Sequence, residues 1–202
     1  MKTVFFDVDT LIDFVFPAGA LYVPGAEKRL GAVAALTRYA ASHGIPVIST
    51  TDAHTENDPE FRSWPPHCVK GTLGQRKPEA TLLERRVVIP ADAARPAPGL
   101  AQQVILEKRT LDCFDSPHLL PLLEQLAADR YVVYGFVTEY CVRYAALGLL
   151  GTGRRVELAT DAIQCLRQQD ADRTLAEFTA AGGILTTVAE MGTVTNNPFL
   201  SA

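Results

Sequence analysis

The chain has 202 residues, 48% of them hydrophobic and 21% charged, which suits one folded domain with a substantial core and is neither a disordered composition nor long enough for two comfortable domains. The formal net charge is −4 and no basic block occurs, so nucleic acid is not an expected partner. No apolar run approaches the roughly 20 residues that cross a bilayer, and "MKTVFF" passes into "DVD" without an apolar leader and cleavage site, so the expected location is the cytoplasm.

In chain order, "TVFFDV" predicts a buried strand, and "AEKRLGAVAALTRYAASHG" a helix with Leu30, Val33, Leu36 and Tyr39 on one face and Gly44 as its stop. "IPVIST", "RVVI" and "QQVILEK" predict strands. "SPHLLPLLEQLAAD" predicts a helix with Ser116 as N-cap before Pro117. "RYVVYGF" predicts a strand, "TEYCVRYAALGLLGTG" a helix, "RRVELAT" a strand, "DADRTLAEFTAAGG" a helix and "ILTTVAEMG" a last strand before a short tail. The Pro- and Ala-rich "PADAARPAPG" (90–99) predicts a surface excursion rather than a linker. Alternation of strands and helices at this spacing predicts an α/β fold: a single domain over 1–202, a mostly parallel sheet with helices on both faces in three layers.

In such folds sites gather at the carboxyl ends of strands, which singles out Asp7, Asp9, Thr51 to His54, Lys108 and Val137 to Cys141. Asp52 and His54 stand two apart after a strand and His67 follows thirteen residues on, a carboxylate and two imidazoles of the kind that hold a divalent metal. Read alone, that stretch is equally a polar loop, and Glu60 adds a fourth ligand only as an option. Lys108 read alone is the solvated end of a strand. Cys141 falls in the first turn of a predicted helix, where free amides and the helix dipole favour a thiolate and could face an oxyanion. The other cysteines, 68, 113 and 165, lack C-x-x-C spacing with it or each other, and buried hydrophobes are the expected role for most of them.

"VFFDVDTLID" comes near the D-x-D-G-T motif of haloacid dehalogenase-like phosphatases, but the glycine is absent and "TDAIQCLRQQDAD" does not supply the later acidic pair. The blocks "D-A-H-x-E-N-D", "W-P-P-H-C-V-K-G-T", "E-K-R-T" and "G-F-V-T-E-Y-C-V", in this order, resemble the nicotinamidase branch of the isochorismatase-like cysteine hydrolases over about residues 3 to 190. The resemblance implies that Cys141 is the nucleophile, Lys108 the neighbouring cation and Asp9 the proton carrier, with Asp7 as the alternative. It further implies a cis peptide in the "G-F-V-T" turn at Phe136-Val137, an oxyanion hole from the amides of Val137 and Cys141, and an aromatic wall of Phe14, Trp64 and Tyr140. Asp52, His54 and His67, with Glu60, fall on the family's metal ligands; zinc is the expected ion, and manganese or iron would suit the same atoms.

The implied reaction is hydrolysis of nicotinamide or a close small-molecule carboxamide through a thioester, with Lys108 and the helix terminus lowering the thiol pKa. Related amides, carbamoyl or ureido compounds, vinyl-ether cleavage and a non-catalytic binding role are the alternatives. Leu11 stands where the family usually has glutamine, "RTLDCFDSP" replaces a small-residue pattern, and the stretch from 75 to 103 reads as an insertion near the pocket. Members of the family often form dimers or larger rings.

Overall fold

The computed structural model describes residues 1–94 and 101–194. Residues 95–99 of the predicted surface excursion and the tail beyond 194 lie outside the described residues. The elements run β1 (Thr3–Val8), α1 (Ile12–Val15), α2 (Ala26–His43), β2 (Val47–Asp52), β3 (Arg86–Ile89), β4 (Gln103–Lys108), α3 (Leu119–Leu126), β5 (Arg130–Phe136), α4 (Arg143–Gly151), β6 (Arg155–Gln164), α5 (Gln168–Ala180), β7 (Ile184–Thr186) and α6 (Val188–Val194).

The seven strands form one sheet in the order β3-β4-β2-β1-β5-β6-β7, and every pairing is parallel. Alternate side chains of the central strands feed two separate cores, as the period of two requires. Val4, Phe6 and Val8 of β1 pack with Leu122, Leu126, Ala145, Leu149 and Phe178 of α3, α4 and α5. Phe5 packs on the opposite face with Val33, Leu36 and Ala40 of α2 and Met191 of α6. This is the predicted three-layer α/β/α domain, and no helix among the described residues is long and apolar enough to cross a membrane.

The strand order reverses at β1. The chain leaves β1 for β2 on one side, and after β4 crosses back to β5 on the other, which opens a crevice at the carboxyl ends of β2, β1 and β5. Gly135 allows the two central strands to close up there: a Cβ on it would stand 2.0 Å from the carbonyl oxygen of Val8, and its φ is +118°.

Four local expectations differ from the structure. The segment after "SP" starts its helix at Leu119 with His118 at the cap position, because Cys113–Asp115 forms a separate 3₁₀ turn that ends at Ser116. "ILTTVAEMG" divides into the three-residue β7 and the start of α6, and β6 runs on to Gln164. Cys141 sits not in the first turn of α4 but ahead of it, in a π-type turn over Thr138–Val142 that breaks at Tyr140 (φ −116°, ψ −110°). The described part of 75–103 contributes edge strand β3 and the buried Gln103, which bonds Ser49 Oγ at 2.9 Å and Thr81 O at 3.0 Å, and none of it lines the cleft described below.

Candidate active site

Asp9 is the first residue past β1 and takes φ +44°, a left-handed conformation that aspartate tolerates better than most residues. Thr50 of β2 holds it there: the Asp9 amide donates to Thr50 O at 3.2 Å, and Thr50 Oγ1 donates to Asp9 Oδ1 at 2.8 Å. The other carboxylate oxygen, Oδ2, meets Lys108 Nζ at 2.8 Å. Asp7 has a different fate. Its carboxylate accepts from Thr10 and from Ser49 Oγ, and it forms a fully buried ion pair with Lys77 Nζ at 2.7 Å. Of the two aspartates, Asp9 is the one in contact with Lys108.

Lys108 ends β4 in register with Asp52 of β2, so the two side chains lie side by side and the ammonium donates to the Asp52 carboxylate. It also donates to Thr110 O at 3.0 Å and reaches Cys141 Sγ at 3.5 Å. Far from being a solvated strand end, Lys108 is 3% exposed. Asp9, Asp52 and Cys141 each offer an atom within 4.8 Å of the other two. The peptide bond Phe136-Val137 is cis, as the resemblance implied. Val137 O accepts the amides of Tyr140 and Val142, both at 3.1 Å.

The charges order themselves as follows. Burial alone would lower the Lys108 pKa, but the carboxylates of Asp52 and Asp9 outweigh it and hold the ammonium well above its usual value. Burial and the Asp9 carboxylate push Asp52 up to about 6, with Lys108 opposing. Burial pushes the Cys141 thiol well up, and Asp9 and Asp52 add to this; Lys108 lowers it but does not prevail. The sequence expectation of a lowered thiol pKa is thus corrected: burial and two carboxylates outweigh one ammonium.

The second half of the site is assembled by a two-residue parallel bridge between His54 and Val69. His54 N donates to Cys68 O at 3.2 Å and Lys70 N donates to His54 O at 2.9 Å, which brings His54 and His67 together with ring centroids 4.9 Å apart. Ligand atoms of Asp52, His54 and His67 all lie within 4.8 Å of one another. Glu60 Oε2 is 4.0 Å from His54 Nε2, and Oε1 is 3.9 Å from His67 Nε2. The rings are oriented from behind. His67 Nδ1 bonds Pro65 O at 2.8 Å, and His54 Nδ1 faces Asp58 Oδ2 at 3.1 Å. His54 Nε2 is buried with no hydrogen-bond partner among the described residues. Two basic Nε2 atoms and two carboxylates converging on one point, one imidazole nitrogen being otherwise orphaned, fit a divalent cation.

Between these halves lies a small cleft walled by Phe14, Trp64, Tyr140, Leu21, Val23, Leu111 and Leu166, with Asp52, Glu60, His67, Val137 and Cys141 completing its lining. Trp64 and Tyr140 meet edge to face at 5.4 Å, and Phe14 lies 5.6 Å from His67. The predicted triad, oxyanion, metal and wall residues are thus drawn to one crevice, and Asp7, the alternative aspartate, is not. Sequence reasoning missed four supports. Thr50 clamps Asp9, and Asp58 stands behind His54, signalled only by its Asp-Pro turn pattern. Asp13 accepts the amides of Ala20 at 2.9 Å and Cys68 at 2.7 Å, tying the Phe14 loop to the His67 loop. Glu139 accepts the amides of Leu166 at 3.0 Å and Arg167 at 2.8 Å, setting Leu166 in the wall.

Comparison with known proteins places these features in context. The isochorismatase domain model matches residues 3–190. The chain is 26% identical to the nicotinamidase of Escherichia coli over 211 residues, covering 91% of this chain and 93% of that one. It is 25% identical over 159 residues to a maleamate amidohydrolase of Pseudomonas putida, covering 77% and 69%. Among solved structures it is similar to the pyrazinamidase of Pyrococcus horikoshii in complex with zinc, with TM-score 0.80, 29% identity and coverage of 93% and 99%. With the family model spanning nearly all of it, the chain belongs to the isochorismatase domain family.

Proposed function

We propose that this amide-hydrolysing member of the family is a cysteine amidase that cleaves nicotinamide, or a close uncharged aromatic carboxamide, to the acid and ammonia. The observation that carries the reading is the contact of Lys108 Nζ with both Asp9 Oδ2 (2.8 Å) and Cys141 Sγ (3.5 Å) inside one buried crevice. A thiol and a carboxylate gathered around one ammonium suit proton transfer coupled to attack. Asp9 takes the proton of Cys141 as the sulfur adds to the amide carbonyl. The amides of Val137 and Cys141 receive the oxyanion, each such donor contributing ~3 kcal/mol. Protonated Asp9 then gives its proton to the departing nitrogen, ammonia leaves, and an acyl thioester remains on Cys141. Asp9 next takes a proton from water as the water adds to the thioester, and the acid and the thiol are released. Throughout, Lys108 balances the charge that moves between Asp9 and Cys141.

Asp52, His54, Glu60 and His67 are the residues that would hold a divalent ion. Zinc is the favoured ion from this donor set and from the zinc present in the Pyrococcus horikoshii relative. Bound there, the ion supplies a Lewis-acidic anchor for a ring nitrogen and so orients the carboxamide.

The cleft argues for a neutral substrate. It is walled mainly by aromatic and aliphatic side chains, and no arginine or lysine lines it among the described residues. Lys108 behind it is already engaged by two carboxylates. A maleamate-type substrate would instead set its carboxylate against a mainly aromatic and aliphatic wall that offers no arginine or lysine among the described residues. Ammonia release with nicotinamide and with maleamate tests this. Nicotinamide is expected to turn over with kcat/KM on the order of 100-fold higher or more; a preference for maleamate would sink the neutral-substrate reading.

A further inference from the structure

Asp58 touches both arms of the candidate metal site without lying in the cleft. Its Oδ2 stands 3.1 Å from His54 Nδ1, and its Oδ1 accepts the amide of Glu60 at 3.0 Å. The Asp58 backbone amide donates to Thr55 O at 3.2 Å, so side chain and backbone of one residue together close the turn between His54 and Glu60. Asp58 is 9% exposed and His54 is fully buried, so neither group exchanges its partner for water at little cost. A neutral imidazole has one lone pair available, and the partner of the other nitrogen decides which. A carboxylate can only accept, so Asp58 requires N–H at His54 Nδ1 and leaves the lone pair on Nε2. Both ring nitrogens of His54 are buried and neither has a hydrogen bond of good geometry among the described residues, but Nδ1 has the Asp58 carboxylate 3.1 Å away whereas Nε2 faces Glu60 and His67.

We propose that Asp58 is a positioning residue for metal binding, holding His54 in the coordinating tautomer while its second oxygen fixes the backbone of Glu60. The inference rests on the metal-site reading given above. A simpler role as the cap of the 3₁₀ turn Pro59–Arg62 is separable from it. In Asp58→Asn the side-chain oxygen can still accept the Glu60 amide, preserving the cap. Its NH₂ group then faces His54 Nδ1 and favours the tautomer with hydrogen on Nε2, which cannot coordinate.

The experiment is titration of the metal-stripped full-length chain with Zn²⁺ against a chromophoric chelator, for wild type, Asp58→Asn and Asp58→Ala. Thermal melts without metal and His54 ring-nitrogen chemical shifts accompany it. Asp58→Asn is expected to weaken zinc binding by roughly 10- to 100-fold, with an unchanged metal-free melt and a shifted His54 tautomer. Zinc affinity in Asp58→Asn equal to wild type would overturn the assignment to Asp58 alone. A wild type that takes up no zinc would overturn the metal-site reading and this inference with it, and the wild-type titration by itself tells that failure from the first.

Discussion

Lys108 Nζ lies 3.5 Å from Cys141 Sγ, although burial and two carboxylates hold that thiol above its ordinary pKa. The ammonium therefore does not create a resting thiolate. It contacts the Asp9 carboxylate and offsets the negative charge that appears on sulfur during attack. In Lys108→Met, Asp9 and Asp52 are left as neighbouring buried carboxylates without a counter-charge, and one of them will take up a proton. Turnover is expected to fall by about 100-fold or more, measured as kcat at neutral pH. A kcat close to wild type would show that the contact is structural only.

Asp7 and Asp9 stand two residues apart and should fail in opposite ways. Asp9→Asn removes the proton carrier but keeps the Thr50 contact, so kcat should drop by roughly 10²- to 10⁴-fold with the melting temperature little changed. Asp7→Asn leaves Lys77 as a buried charge without its partner, a loss of about 3 kcal/mol in stability, while kcat per folded molecule stays near wild type. Activity assays paired with chemical denaturation separate the two; the reverse pattern would make Asp7 the acid.

The metal site gives a direct elemental test. Purified wild type is expected to carry a divalent ion, and His54→Ala and His67→Ala to lose it, by elemental analysis. Chelation should reduce turnover of nicotinamide, with zinc restoring it. An ion content in both variants equal to wild type would place the metal elsewhere.

Gly74 supports the site from a distance. A Cβ there would stand 2.1 Å from the Asp13 carboxylate, which is bonded to the Ala20 and Cys68 amides and has no room to retreat. Gly74→Ala is expected to destabilise the chain by about 1–3 kcal/mol in denaturant unfolding and to raise KM, because Phe14 and His67 flank this junction. No change in either would show that the loop gives way freely.

Sequence reading reached some of these features and not others for physical reasons. Apolar runs bounded by turn residues revealed β1, β2, β4 and β5, because a parallel sheet buried on both faces leaves nearly continuous hydrophobic strands. Strand ends then pointed to Asp9, Asp52, Lys108 and Cys141, whose roles came from the resemblance of their motifs. The burial of Lys108 was not legible, since a lysine ending a strand is usually solvated and only the register with Asp52 and the crossover to β5 enclose it. The thiol's raised pKa was hidden for the same reason: it depends on how many carboxylates converge in space. Leu21, Val23, Leu111 and Leu166 carried no signal, because apolar residues in a cleft wall have the same pattern as apolar residues in a core. The split of "ILTTVAEMG" escaped because a short apolar run of this length suits either a strand or a helix start.

Acyl transfer to sulfur is the central claim, and rapid acid quench of wild type turning over nicotinamide, followed by peptide mass spectrometry, tests it most directly. The predicted result is a nicotinoyl adduct on the peptide containing Cys141, absent from Cys141→Ala, which should release no ammonia above background. Ammonia release by Cys141→Ala at a rate near wild type, or an adduct on any other residue, would contradict it.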